Sequence, residues 1–587
     1  MTESDRALER PQEQLAFTCD GRPVTVDVPR GTSLLDVLRE ALGVTSVKDG
    51  CAPQGQCGCC TVLVDGEPRV ACVTPVARVA GRSVTTLDGL EPELRDRLVD
   101  AFVATGGSQC GFCTPGILVR AAGHIRRGRD PAAGTDRLLA AHLCRCTGWA
   151  TIREAFASVA TESATASGGS AASGAAPRDL EAAGRRATLE GGVGQRVGAD
   201  VPRGEAGFAD DTAPRDALVA VPLPPGSSAP SIDAAGVAWV VGESVTEARA
   251  SAGKVQGRRT TLTPQPPLPV PEVPAGGVAL ATGWVEPGYL EPDASWCAPG
   301  GEPASPLANG GAFGGKATSI APAAARELAD RLDRTVRVLF SREDVVRLGP
   351  KRPPIAASAV LRDDTLVIDG AVVAAAAPAQ RDWCPYAVRV EEGWRTASAP
   401  GPSTSPAMRA WPLAERTVLA EGALAAAGAD RAALARDTRV AAVLLDTCAL
   451  EPDSGAVAGS RVTVDDRGRA TGVRVTGVEV RVAAGDPLDE VTLRSYCIGA
   501  VHMALGWVLS EGLTVDPETG EVLDLTIRSF GILRAQDMPP VEVSIVDDPG
   551  EPRARASDAV FAAVAAATWN AAAEAMGSRP TAFPVRS

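Results

Sequence analysis

The first ninety residues alternate apolar and polar side chains in twos. Residues 15–19 and 23–28 alternate about Asp20-Gly21, which predicts a β-hairpin. Thr32 or Ser33 is placed to cap a helix with Leu34, Leu35, Val37, Leu38 and Leu42 inward, and Gly43 stops it. Strands are expected at 61–65 and 69–73, about a turn at Gly66. Residues 14–88 therefore read as a β-grasp-like domain. From 91 to 105 the apolar period lengthens to that of a helix (Leu94, Leu98, Val99, Phe102, Val103), and Gly106-Gly107 ends it. Thr114-Pro115 opens a second helix carrying Ile117, Leu118, Ala121 and Ile125. Further helices are expected from Asp136 and, capped by Thr147, from Gly148. Residues 89–160 are thus expected to form a four-helix domain. Residues 161–190, which contain TESATASGGSAASGAAP, read as a flexible linker. The remainder mixes helical and strand patterns, so the expected fold class is α+β.

Composition narrows the function. The chain of 587 residues has room for several domains, and its net charge of −14 argues against non-specific nucleic-acid binding. No apolar run of about 18 residues predicts a membrane span. The opening MTESDRALERPQEQ lacks the apolar core of a signal peptide, so a cytoplasmic protein is expected. Nine of the 14 cysteines fall between Cys51 and Cys146. In a reducing compartment such clustering points to metal, not to disulfides. With only 3 histidines (His124, His142, His502), a histidine-based zinc or iron site has little to build on.

The cysteines form two loop types. Residues 109–116 read QCGFCTPG and 143–149 read LCRCTGW, giving C-x2-C and C-x-C pairs that each precede a helix start. The backbone dipole there favours thiolate charge. Upstream, residues 50–60 read GCAPQGQCGCC, and Cys72 lies on the strand expected at 69–73. Taking Cys51, Cys57, Cys60 and Cys72, the spacing approaches the plant-type ferredoxin pattern C-x4-C-x2-C…C, with one extra residue in the first gap. That residue is expected to bulge at Pro53-Gln54. Cys59 reads as a small buried residue. Zinc binding or unliganded thiols are the competing readings of the set.

These motifs resemble the iron–sulfur portion of the xanthine dehydrogenase and aldehyde oxidase family of molybdenum hydroxylases. The resemblance implies a ferredoxin-like [2Fe–2S] domain followed by a helical [2Fe–2S] domain. It implies that Cys110, Cys113, Cys144 and Cys146 hold the cluster nearer the molybdenum cofactor, and that Cys51, Cys57, Cys60 and Cys72 hold the distal one. Gln109 matches a position whose side chain contacts the pterin. Residues 191–260 resemble the small α/β domain that opens the family's molybdenum subunit, and 261–587 a shortened form of its molybdopterin-binding region. The carriers are GWVEPGYLEP at 283–292 and GGAFGGK at 310–316. The second implies pterin contact by Gly311, Phe313 and Gly314, where close backbone approach excludes side chains. Arg409, in PAMRAWP, matches a further cofactor-side position.

Other positions depart from the family. Ala317 stands where xanthine-type enzymes carry a substrate-binding Glu. Tyr496-Cys497-Ile498-Gly499 replaces Gln-x-Glu-Gly, and Ser557-Asp558 falls where the family has the Gly-Glu of its base. Asp558 is a candidate base, one methylene short, or simply a helix N-cap. Arg409 and Lys316 also read as ordinary surface charges. The reading is an electron-transfer component with two [2Fe–2S] clusters that relays electrons from a molybdenum site to a flavin or other acceptor. No stretch reads as an FAD domain, so the expected partners are a separate FAD subunit and a full-length molybdenum subunit. The alternatives are a self-sufficient compact hydroxylase that uses Asp558, and a C-terminal region that only scaffolds assembly.

Overall fold

The computed structural model describes residues 11–165, 178–253, 255, 257, 260–305, 311–312, 314–374, 379, 381–405, 407–408, 410–465 and 473–585. The chain opens with a five-stranded sheet of Gln12–Cys19 (β1), Arg22–Pro29 (β2), Thr61–Val64 (β3), Glu67–Val70 (β4) and Ser83–Thr85 (β5), in the order β2-β1-β5-β3-β4. Cys19 pairs with Arg22 across the hairpin, and Asp20 and Gly21 take φ of 49° and 77°. Two positive φ values are what a tight hairpin turn requires. Ser33 caps the helix that follows, accepting from the amide of Asp36 at 3.1 Å. Leu34, Leu35, Val37 and Leu38 pack from it onto Phe17, Val62 and Val84.

Four helices follow: Pro92–Thr105, Thr114–Ile125, Thr135–Leu138 and Ala150–Thr165. The first and last pack together through Phe102 and Phe156, whose ring centroids lie 5.8 Å apart. Residues 166–177 of the expected linker lie outside the described residues, but its later part is not a linker. Asp179 caps a helix at Leu180–Gly191 by accepting from the amides of Glu181 and Ala182, both at 3.0 Å. Its inner face buries Ala183, Arg186, Ala187 and Glu190, with Arg186 paired to Glu190. The glycine- and alanine-rich text before Asp179 hides this helix from a compositional reading.

The unit expected at 191–260 is larger than its sequence span. Its five-stranded sheet runs, in spatial order, Ala294–Cys297, Val336–Leu339, Leu218–Pro222, Val237–Gly242, Ile232–Ala234. A boundary at 260 would cut this sheet, because two of its strands return from beyond residue 290. Two further sheets are interleaved in the same way. One joins Arg389–Thr396, Thr365–Val372, Ile355–Arg362, Val278–Thr282 and Ala582–Phe583, and the other Thr447–Leu450, Val457–Asp465, Arg474–Ala483 and Val541–Ile545. Helices Trp411–Ala426, Glu490–Leu509 and Ala556–Met576 pack together and onto these sheets. Ala556–Met576 is long and apolar enough by composition to cross a membrane, yet 72% of its apolar window is buried inside the protein. A helix apolar all round is what a large core encloses.

Charges join the amino-terminal domain to the rest. Arg39 meets Asp210 at 2.7 Å and Asp211 at 2.8 Å. Arg337 bridges Asp210 at 2.6 Å and Glu40 at 3.0 Å. Lys48, wholly buried, pairs with Asp211 and donates to the Gly204 carbonyl at 2.6 Å. Burial pushes the Lys48 ammonium pKa down, and Asp211 opposes that shift. Asp211→Ala leaves a buried cation without its counter-charge. It is expected to destabilise the chain by about 3–5 kcal/mol, read as a fall in urea midpoint. The pair Lys48→Met/Asp211→Leu is expected to recover most of that loss.

Candidate iron–sulfur centres

The fold closes the cysteines into two groups of four. Cys110 and Cys146 lie 3.7 Å apart, sulfur to sulfur. Cys144 touches both Cys113 and Cys146, which completes one quartet. In the other, Cys51 touches Cys57 and Cys72, and Cys72 touches Cys60. All eight are buried. Two thiolates on one tetrahedral ion at ~2.3 Å sit roughly 3.8 Å apart, so the Cys110–Cys146 separation suits a shared metal.

Electrostatics favour the same chemistry. Contacts with neighbouring thiols draw the pKa of Cys51 and Cys144 down and push Cys57, Cys72, Cys113 and Cys146 up. Each quartet therefore resists multiple ionisation unless a cation compensates it. Donors are already aimed at the sulfurs. The amides of Gln56 and Cys57 reach Cys51 Sγ at 3.4 and 3.3 Å, and that of Cys72 reaches Cys60 Sγ at 3.4 Å. Cys144 Sγ lies 3.2 Å from the Thr147 hydroxyl. Donors to sulfur and net charge are the terms that tune iron–sulfur centres. These residues fit two [2Fe–2S] groups.

The two loops touch. The amide of Leu143 donates to the Cys57 carbonyl at 3.0 Å, joining a residue of one quartet to the neighbour of Cys144 in the other. A methyl at Gly116 would come 2.3 Å from the Gly58 carbonyl oxygen, so glycine is needed for this approach. His142 fills the seam, 3.2 Å from Thr61 Oγ1 and 3.3 Å from the Gly116 carbonyl, and burial holds its imidazole neutral. Cys59 is also buried, its sulfur touching that of Cys57 and lying 3.9 Å from the Cys57 carbonyl, so it stands beside the first quartet as a fifth thiol.

Residues 17–77 match the family described as 2Fe-2S iron-sulfur cluster binding domain, and residues 86–157 the [2Fe-2S] binding domain. The isoquinoline 1-oxidoreductase subunit alpha of Brevundimonas diminuta is 38% identical over 152 residues, 26% of this chain and 99% of the relative. The xanthine dehydrogenase iron-sulfur-binding subunit of Escherichia coli is 39% identical over 136 residues, 22% of this chain and 84% of the relative. The chain belongs to the xanthine dehydrogenase/aldehyde oxidase family of molybdenum hydroxylases, which are oxidoreductases. The aldehyde oxidoreductase of Megalodesulfovibrio gigas is 43% identical over 141 residues, but these make up only 15% of its length. The solved aldehyde oxidoreductase from Desulfovibrio gigas shares the fold over 98% of this chain and 99% of its own, with a TM-score of 0.74 at 16% identity.

Beyond the cysteines, Gln109 and Gly311, two of the residues expected to contact a pterin, meet this chain's own side chains. The Gln109 amide donates to the Cys146 carbonyl at 2.9 Å and to Ser495 Oγ at 3.1 Å. A methyl at Gly311 would lie 2.5 Å from the Arg145 side chain, so this glycine is needed for protein packing. Gly314, at φ 85°, begins the turn Gly315–Thr318. Phe313 and Arg409 lie outside the described residues. Lys316 is not a solvated charge; it is buried against Glu291 at 2.5 Å, and burial raises the Glu291 carboxyl pKa to about 7. Asp558 is not the N-cap. Arg555, at φ 58°, takes that position, and Asp558 is buried in the first turn with its amide 2.9 Å from the Arg555 carbonyl. Tyr496 donates to Gln195 at 2.9 Å. A cleft of about 1170 Å³ opens beside Gln109 and Cys110, and Asp558 is not among its lining residues.

A buried pair missing from the sequence reading ties the second quartet to the carboxy-terminal region. Arg145, between Cys144 and Cys146, meets both oxygens of Glu511 at 2.5 Å and the Pro287 carbonyl at 2.9 Å. Both side chains are 2% exposed. The arginine stands in the C-R-C text, but nothing local marks its partner. Glu511→Ala strands the guanidinium in the interior and is expected to cost about 3–5 kcal/mol, seen as a lower thermal midpoint by circular dichroism. Glu511→Gln, which keeps an acceptor, is expected to lose less.

Proposed function

We propose that this chain is the iron–sulfur electron-transfer component of a molybdenum hydroxylase. Two [2Fe–2S] clusters would take single electrons from a molybdenum site and pass them to a flavin or other acceptor. The observation that carries this reading is the pair of buried thiol quartets, joined by the Leu143–Cys57 hydrogen bond. Cys110, Cys113, Cys144 and Cys146 would hold one cluster, and Cys51, Cys57, Cys60 and Cys72 the other; when bound, these groups supply the one-electron relay. The residues around them position sulfur, exclude water and hold the two loops in contact.

The relatives' names support partner chains: both the Brevundimonas and the Escherichia proteins are named as subunits, the latter as the iron-sulfur-binding one. We assign a separate FAD subunit and a full-length molybdenum subunit as partners. Gln109 and Gly311 are engaged by this chain's own packing, and the molybdenum site is assigned to the partner subunit.

Purified full-length chain is expected to be brown and to carry about four iron and four sulfide per chain, two of each for every [2Fe–2S] group. Cys110→Ala is expected to halve the iron while the fold is kept. A colourless chain, or one that binds zinc stoichiometrically in place of iron, refutes the proposal.

A further inference from the structure

Most buried arginines in this protein face a carboxylate. Arg145 faces Glu511, Arg352 faces Glu415 at 3.0 Å, and Arg416 faces Glu392 at 2.9 Å. Arg342 departs from this pattern. Its side chain is 0% exposed, yet among the described residues no carboxylate lies within ion-pairing distance of it. Its Nε and Nη2 donate to the Gly50 carbonyl at 3.2 and 3.1 Å, and Nη2 also to the Leu290 carbonyl at 2.8 Å. Its Nη1 is buried without a hydrogen-bond partner. Asp293 and Glu343 are near enough to feel its charge, but their hydrogen bonds go elsewhere, to Tyr289 at 3.2 Å and Gln54 at 2.9 Å, and Asp344 bonds Ser341 at 2.6 Å. Burying a cation with no ion pair of its own is unfavourable. Gly50 directly precedes Cys51.

A second arginine approaches the same loop. Arg528 donates from Nε to the Gln56 carbonyl at 3.0 Å, and its amide donates to Gln56 Oε1 at 3.2 Å. Gln56 directly precedes Cys57. Burial and the nearby Arg534 push the Arg528 pKa down, and Cys51 and Cys57 act the other way. The extra loop residue has a role in this grip. Gln54 projects into the carboxy-terminal region, donating to Glu343 and to the Leu525 carbonyl at 3.2 Å and accepting from the Ile527 amide at 3.0 Å.

We infer that Arg342 and Arg528 are the counter-charge of the cluster in the first quartet, and that they raise its potential above that of the second. The inference rests on the two-cluster reading. Two ferric ions, two sulfides and four thiolates sum to a net negative charge, and one added electron makes it more negative. A fixed cation nearby stabilises the reduced form, since net charge and hydrogen bonding set these potentials. The second quartet has an arginine too, but Glu511 cancels the charge of Arg145. Arg342, Arg528 and Gln54 are positioning residues and touch no reacting atom.

The test is a redox titration of the full-length chain followed by electron paramagnetic resonance, in wild type, Arg342→Met and Arg528→Gln. Two signals are expected in wild type, with Cys110→Ser perturbing the lower-potential one. Each arginine variant is expected to lower the midpoint of the higher-potential signal. At fixed ambient potential the ratio of reduced to oxidised cluster falls about tenfold, which is 59 mV for one electron. The other midpoint stays put, and Arg342→Lys restores the first. Arg528→Gln replaces a partly exposed side chain and keeps a donor, so it reports even if Arg342→Met does not fold. Unchanged midpoints in folded, iron-replete variants overturn the inference, as does a shift confined to the lower-potential signal. Loss of both signals from a wild-type chain that lacks iron overturns the two-cluster reading beneath it.

Discussion

Four thiols held within a few ångströms in a dry interior cannot all ionise without a cation among them. That constraint organises the amino-terminal third of the chain. It accounts for the amides turned on Cys51 and Cys60, for the glycines that let the two loops meet, and for the burial of all eight sulfurs. His142 in the seam is neutral because burial disfavours the imidazolium.

The carboxy-terminal region grips these loops at several points. Glu511 holds Arg145, Arg342 holds Gly50, Arg528 holds Gln56, and Ser495 holds Gln109. Gly499 packs so closely on Cys146 that a methyl would come 1.9 Å from its carbonyl oxygen. Gly311, in text that resembles a cofactor cradle, packs against Arg145 beside the second quartet. The whole-chain likeness to an aldehyde oxidoreductase is a likeness of fold.

Local patterns carried much of this into view. The hairpin at Asp20-Gly21, the helix capped by Ser33 and the helices beginning at Pro92 and Thr114 depend on residues a few positions apart. The cysteine spacings likewise revealed two loop types. Contacts across long sequence separations were hidden. The strand Val336–Leu339 pairs with Leu218–Pro222 on the other side of residue 260, so a boundary there could not be read from local patterns. Arg342 and Gly50 are 292 residues apart, and Arg145 and Glu511 are 366 apart. Asp558 was misplaced within its helix because a non-glycine residue, Arg555, adopts the left-handed conformation at the cap. The helix at Leu180–Gly191 was masked by the low-complexity text before it.

The most direct test of the central claim is spin quantitation by electron paramagnetic resonance on the full-length chain, reduced with dithionite at low temperature. The account predicts two distinct signals that integrate to two spins per chain, one from each [2Fe–2S] group. A spectrum with no signal from a folded chain would contradict it.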